Sequence, residues 1–94
     1  MKDLFNEMGQ FSIEVFSEAK SIHHIMKLKH EADEVLENPN DINEYVDCLL
    51  ALYAAMYKSG FIYEDILSSA RDKFEVLKSR DWVVTDGIYQ HIRK

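Results

Sequence analysis

Proline occurs once in this 94-residue chain, glycine three times and cysteine once. So few helix breakers, beside many Leu, Ala, Glu and Lys, predict an all-α protein. The lone Cys48 excludes an internal disulfide and is compatible with a reducing, cytoplasmic setting. No run approaches eighteen consecutive apolar residues and the N-terminus lacks a signal-peptide pattern, so neither a membrane span nor export is expected. Basic residues are scarce as well: 11 Lys and Arg against 17 Asp and Glu leave a net charge of −6. That balance argues against a nucleic-acid-binding face. An anionic ligand would need its charge carried in by a metal. Glu-x-x-His, which a helical di-iron carboxylate protein supplies twice, is absent, and the four histidines therefore suggest neither di-iron nor zinc. A chain this short makes one small domain, residues 1–94, burying only about 60–65% of its unfolded surface.

What is present is acid in a pattern. Glu31-Ala-Asp-Glu34 and Glu44-Tyr-Val-Asp47 flank the turn signal Asn38-Pro39-Asn40. Residues i and i+3 share a helix face, so each pair can converge on one point. Two helices packed antiparallel across the turn would bring four carboxylates together. Like charges at short range raise each other's pKa, and such a cluster stays ionised only with a counter-cation. Oxygen-only ligation suits Mg²⁺, with Mn²⁺ as a substitute. The surroundings strengthen this: from Ile42 to Tyr57 only Asn43, Glu44 and Asp47 are strongly polar. A helix apolar nearly all round is a core helix, and acids are rarely buried there without a partner. The plainer reading is a solvated first turn favoured by the helix dipole; it suits Glu44 better than Asp47, which lies deeper.

Four helices are predicted, over about residues 3–19, 21–37, 41–59 and 63–79, with a tail from 82 to 94. The first carries Leu4, Phe5, Met8, Phe11, Ser12, Val15, Phe16 and Ala19 at spacings of one, three and four. Ser21 is the expected N-cap of the second. Its core face is predicted as Ile25, Leu28, Ala32, Val35 and Leu36, with His24, Lys27, Glu31 and Glu34 along one flank. Lys27 is placed for an intrahelical salt bridge to Glu31, worth about 0.2–0.5 kcal/mol. Helix three ends at Gly60, a good C′ residue. Helix four has a seam of Tyr63, Leu67, Ala70, Phe74 and Leu77, with Lys73 and Arg80 one heptad apart on one flank and Lys78 on the other. Beyond Trp82, Val83-Val84-Thr85 is strand-like, Asp86-Gly87 signals a turn, and the last residues are expected to be mobile. Three short partner helices cannot cover every side of helix three, and helix one adds a second apolar surface. That excess predicts a homodimer, or a homotetramer built from two dimers.

Glu31-x-x-Glu34 followed by Glu44-x-x-Asp47 on consecutive helices resembles the signature of the MazG-like all-α nucleoside triphosphate pyrophosphohydrolases. Gly60 closing the acid-bearing helix, then Lys73-Phe74 leading to Lys78-Ser79-Arg80-Asp81-Trp82, is similar to the compact MazG-like proteins of phages and mobile elements. The resemblance runs from about Lys27 to Trp82, with Leu77 standing where relatives often carry Asn. It implies a four-helix MazG-like bundle that oligomerises, with active sites where subunits meet. The implied activity is Mg²⁺-dependent hydrolysis of a nucleoside or deoxynucleoside triphosphate to the monophosphate and pyrophosphate. By the same resemblance Glu31, Glu34, Glu44 and Asp47 hold the metal, water attacks the α-phosphorus, and one glutamate acts as base. Lys27, Lys73 and Arg80 are the expected phosphate contacts, and Phe11 or Trp82 the aromatic against the base. A rival reading from another class is a non-catalytic, antitoxin-like dimerisation module, for which the four acids carry no chemistry.

Overall fold

The computed structural model describes residues 1–92. Four helices, α1 (Lys2–Val15), α2 (Ser21–Glu37), α3 (Ile42–Lys58) and α4 (Tyr63–Ser79), precede two short strands, β1 (Trp82–Thr85) and β2 (Ile88–His91). The chain groups into two compact units, one from Met1 to Tyr63 and one from Glu64 onward.

In the first unit α3 is the central element, with α1 and α2 both packed on it. Its buried residues are Ala51, Tyr53, Ala54 and Ala55, mostly small, so a neighbouring backbone can come close. The helix α2 runs antiparallel to it. Ser21, at the start of α2, donates its hydroxyl to the carbonyl of Ala55 near the end of α3, at 2.8 Å. The short link between them is pinned at several points. Tyr45 donates its hydroxyl to the Pro39 carbonyl at 2.8 Å, and the Asp41 side chain caps α3 by accepting from the Asn43 N–H at 2.9 Å. Ser21 is thus the first helical residue rather than the cap. The cap is Lys20, whose N–H donates to Nδ1 of His23 at 2.9 Å.

The helix α1 buries Phe5, Gly9 and Ser12, a stripe at spacings of four and three. Phe5 is fully buried and meets Tyr53 edge-on at 5.3 Å, with Tyr57 at 5.6 Å and Tyr63 at 5.9 Å. An aromatic of this size contributes about 1.5–3 kcal/mol by burial and about 0.5–1.5 kcal/mol per well-placed ring pair. The helix ends at Val15, a turn short of the expected Ala19. The ammonium of Lys58, far along the chain, donates hydrogen bonds to the carbonyls of Phe16 at 2.6 Å and Ala19 at 2.7 Å. Those carbonyls face α3 instead of continuing a helical ladder.

The inner face of α2 differs from the predicted one. Its buried residues are His24 and Glu31, both on the flank. Leu28 and Val35 are half-buried, whereas Ile25, Ala32 and Leu36 are exposed, Leu36 at 79%. Counting apolar residues selects the wrong face because α3 packs its alanines against the polar one, leaving the hydrophobic stripe outward.

In the second unit α4 opens with Glu64 and Asp65 in its first turn, where the dipole favours acids. None of its residues is buried; of the expected seam only Tyr63 is half-buried, and Leu67, Ala70, Phe74 and Leu77 are exposed. After it, β1 and β2 form an antiparallel hairpin pairing Trp82 with His91 and Thr85 with Ile88. Asp86 and Gly87 have φ of 52° and 78°, the left-handed pair that a two-residue hairpin turn requires. The expected mobile tail is therefore a paired strand as far as His91, and residues 93–94 lie outside the described residues. Trp82 anchors the hairpin to α4, its indole donating to the Leu77 carbonyl at 3.0 Å. No helix among the described residues is long and apolar enough to cross a membrane.

Gly9 marks a tight approach of α1 to α3. A methyl built on its Cα would fall inside the Tyr57 ring. Gly9→Ala should therefore destabilise the protein by about 1–3 kcal/mol through overpacking, despite alanine's better helix propensity. Urea titration followed by circular dichroism measures this; a Gly9→Ala protein as stable as the parent would show that the helices separate without cost.

Candidate metal centre

The packing of α2 on α3 brings one side-chain oxygen each of Glu31, Glu44 and Asp47 within 4.8 Å of one another. Glu31 comes from the inner face of α2 and is 6% exposed. Glu44 stands in the first turn of α3, fixed by the Asp41 cap, and Asp47 follows one turn later.

The three carboxylates are not equivalent. Lys27 lies 2.8 Å from Oε1 of Glu31, and this hydrogen-bonded ammonium holds the Glu31 carboxyl below its usual range. Glu44 has no such cation. Burial, then the charge of Glu34, push its carboxyl above the usual range, with Asp41 and Asp47 adding to the rise. Among the described residues neither Oε2 of Glu31 nor Oε2 of Glu44 has a hydrogen-bond partner, though both atoms are buried. Buried acceptors are normally satisfied. Two orphaned carboxylate oxygens beside a third carboxylate are a set of hard donors lacking a cation, which suits a divalent ion with oxygen ligation. Cys48 is adjacent, but burial and the charges of Glu31 and Asp47 push its thiol up.

Glu34 stands beside this trio rather than in it. It acts on the carboxyls of Glu31 and Glu44 as a neighbour, and its Oε1 is 3.3 Å from Nε2 of His30. That histidine was missed by sequence reasoning, although its i, i+4 spacing to Glu34 was there to be seen. Lys27 is engaged by Glu31, as its spacing suggested. On α4, Lys78 is occupied by Glu75 at 2.9 Å and by the Phe74 ring at 5.0 Å. Lys73 and Arg80 form no side-chain ion pair with another described residue. Trp82 is held by Leu77 and by the His91 ring at 6.3 Å. Phe11 is 47% exposed and meets Phe16 edge-on at 5.4 Å.

Comparison with known proteins finds a family and a solved structure that this chain is similar to. The dATP/dGTP pyrophosphohydrolase family profile matches residues 4–93. The fold is similar to that of the cyanophage S-2L MazG-like pyrophosphohydrolase, solved with dGDP and three catalytic Mn²⁺ ions per active site. The TM-score is 0.81 at 23% identity, covering 97% of this chain and 95% of that one. No curated protein matches.

The carboxylate trio generates a stability prediction. A raised carboxyl pKa in the folded state means that folding favours the protonated form. The stabilisation from Glu44 is thus full below its unfolded pKa and is lost as pH rises through the folded one. At neutral pH its ionised form costs stability. Glu44→Gln should raise the melting temperature of the metal-free protein at pH 7, with the gain shrinking as pH is lowered. It should also reduce the rise that Mn²⁺ produces in the parent. Melting curves across pH with and without the ion test this; a Gln variant that melts lower at every pH would show that neither desolvation nor repulsion of the ionised Glu44 costs the fold stability.

Proposed function

Because the chain belongs to the dATP/dGTP pyrophosphohydrolase family, we propose that it hydrolyses purine deoxynucleoside triphosphates to the monophosphate and pyrophosphate. The observation that carries this reading is the convergence of buried Glu31, half-buried Glu44 and exposed Asp47, with two orphaned carboxylate oxygens among them. Those residues, with Glu34 beside them, would hold Mg²⁺ or Mn²⁺. When bound, such ions neutralise the polyphosphate and lower the pKa of a water near the α-phosphorus.

The protein's own part is positioning and charge. Lys27 fixes the Glu31 carboxylate by hydrogen bond and keeps it ionised, ready to ligate. One glutamate of the set is assigned the role of general base. Lys73 and Arg80, one heptad apart on α4 and free of side-chain ion pairs among the described residues, are assigned to the departing pyrophosphate. Lys78, occupied by Glu75 and Phe74, is not.

A single assay of pyrophosphate release tests these roles. Glu31→Gln and Asp47→Asn should each abolish activity while circular dichroism stays unchanged. Lys73→Ala and Arg80→Ala should lower kcat/KM by about 10²-fold or more, and Lys78→Ala only slightly. Near-parental activity in either acid variant would remove that residue from the site.

The active form is proposed to be at least a homodimer. In the single chain Ile22, Met26 and Leu36 on the outer side of α2 are more than half exposed, and Ile25 is 43% exposed. Apolar surface of this extent marks an interface, and two-fold closure is the commonest solution. Light scattering at micromolar concentration should give at least twice the 11.0 kDa chain mass; a fully active monomer would contradict it.

A further inference from the structure

His24 is the one buried histidine among the described residues and has no part in the chemistry above. It is 8% exposed, and among the described residues its Nε2 has no hydrogen-bond partner. It shares the inner face of α2 with Glu31, seven residues earlier. That is two turns, about 10 Å along the helix, comparable with the span of a deoxynucleoside from phosphate to base. Over it sits Phe16, whose ring centre is 6.2 Å from the imidazole, and Phe11 packs edge-on against Phe16. Phe16 is 43% exposed and occupies the non-helical cap of α1, with φ −107° and ψ 45°. It covers the histidine on one side and presents an aromatic face on the other.

Resting on the pyrophosphohydrolase reading, we propose that His24 is the purine-selecting residue of this site. Its Nε2–H donates to N7 of the base, while Phe16 turns about its Cα–Cβ bond to stack on the ring. N7 is an acceptor common to adenine and guanine, and pyrimidines lack it. One donor aimed there accepts both purines without distinguishing their 6-substituents. Burial, together with the nearby charges of Lys58 and His23, holds His24 below its ordinary pKa. A neutral imidazole offers one N–H donor and avoids burying a charge beside Phe16.

The test compares dATP and dGTP with their 7-deaza analogues, which replace N7 by a C–H, on the full chain with Mn²⁺. The parent protein should show kcat/KM about tenfold lower for each analogue, the loss of one buried hydrogen bond. In His24→Leu, dATP and dGTP should fall to the level of the analogues, and the N7 effect should vanish. Equal rates for dATP and 7-deaza-dATP in the parent would overturn the proposal, as would full N7 discrimination in His24→Leu. Should that variant fail to fold, His24→Phe, a ring of similar size without an N–H donor, takes its place, and the same loss or persistence of the N7 effect supports or overturns the assignment. Absence of pyrophosphate release from every triphosphate would instead defeat the functional reading on which the proposal rests.

Discussion

The crowding of three carboxylates where two helices pack closely, with Glu44 partly desolvated there, is the constraint on which the rest of this structure depends. Glu31, Glu44 and Asp47 meet within 4.8 Å, yet one lysine, Lys27, is the only ammonium paired with Glu31 among the described ion pairs. In water such charges would move apart. Here they cannot, because the small residues Ala51, Ala54 and Ala55 let α2 lie close on α3, and the Asn-Pro-Asn link is fixed by Asp41 and Tyr45. The aromatic cluster around Phe5 stabilises α3 from the other side and offsets part of the cost. A cation entering this site meets oxygens already in place, so little of its binding energy goes into reorganising the protein.

The same constraint inverts α2. A helix that must turn Glu31 inward also turns His24 inward, seven residues away, and its hydrophobic residues are rotated to the outside. The exposed apolar stripe is therefore a consequence of the acid site rather than a separate feature. It explains why a chain with nearly half its residues hydrophobic buries so few of them by itself.

The four helices and the two acid pairs were legible in the sequence because they rest on local geometry. The i, i+3 spacing fixes a shared face wherever a helix forms, and the capping chemistry of Asp41 and the helix stop at Gly60 act within a few residues. The missed features depend on distant partners. Where α1 ends is decided by Lys58, about forty residues downstream, and no nearby residue announces it. The inner face of α2 was misread because hydrophobic periodicity identifies an apolar stripe without saying what covers it. The hairpin was half legible: Asp86-Gly87 gives the turn, but β2 offers only four residues, and its anchoring depends on Trp82 reaching back to Leu77. His24 was seen on the right flank, yet nothing in the sequence shows that its Nε2 is sealed without a partner.

Placing Glu31 and His24 on one rigid element has a consequence for selectivity. Two turns of a single helix set the spacing between His24 and Glu31, and neither a loop nor a hinge intervenes. If the base is held at one end of that spacing, the α-phosphorus is delivered to the other in a fixed register. A nucleotide lacking the base contact can still bind through its phosphates, but it samples more orientations at the reacting centre. Discrimination then falls on the rate of the chemical step as well as on affinity, because the contact contributes alignment that the transition state needs. A loop-borne recognition residue would allow the base to be recognised with the phosphate out of place. The buried imidazole on α2 forbids that, and the close packing that leaves Glu31 short of partners is what keeps the imidazole still.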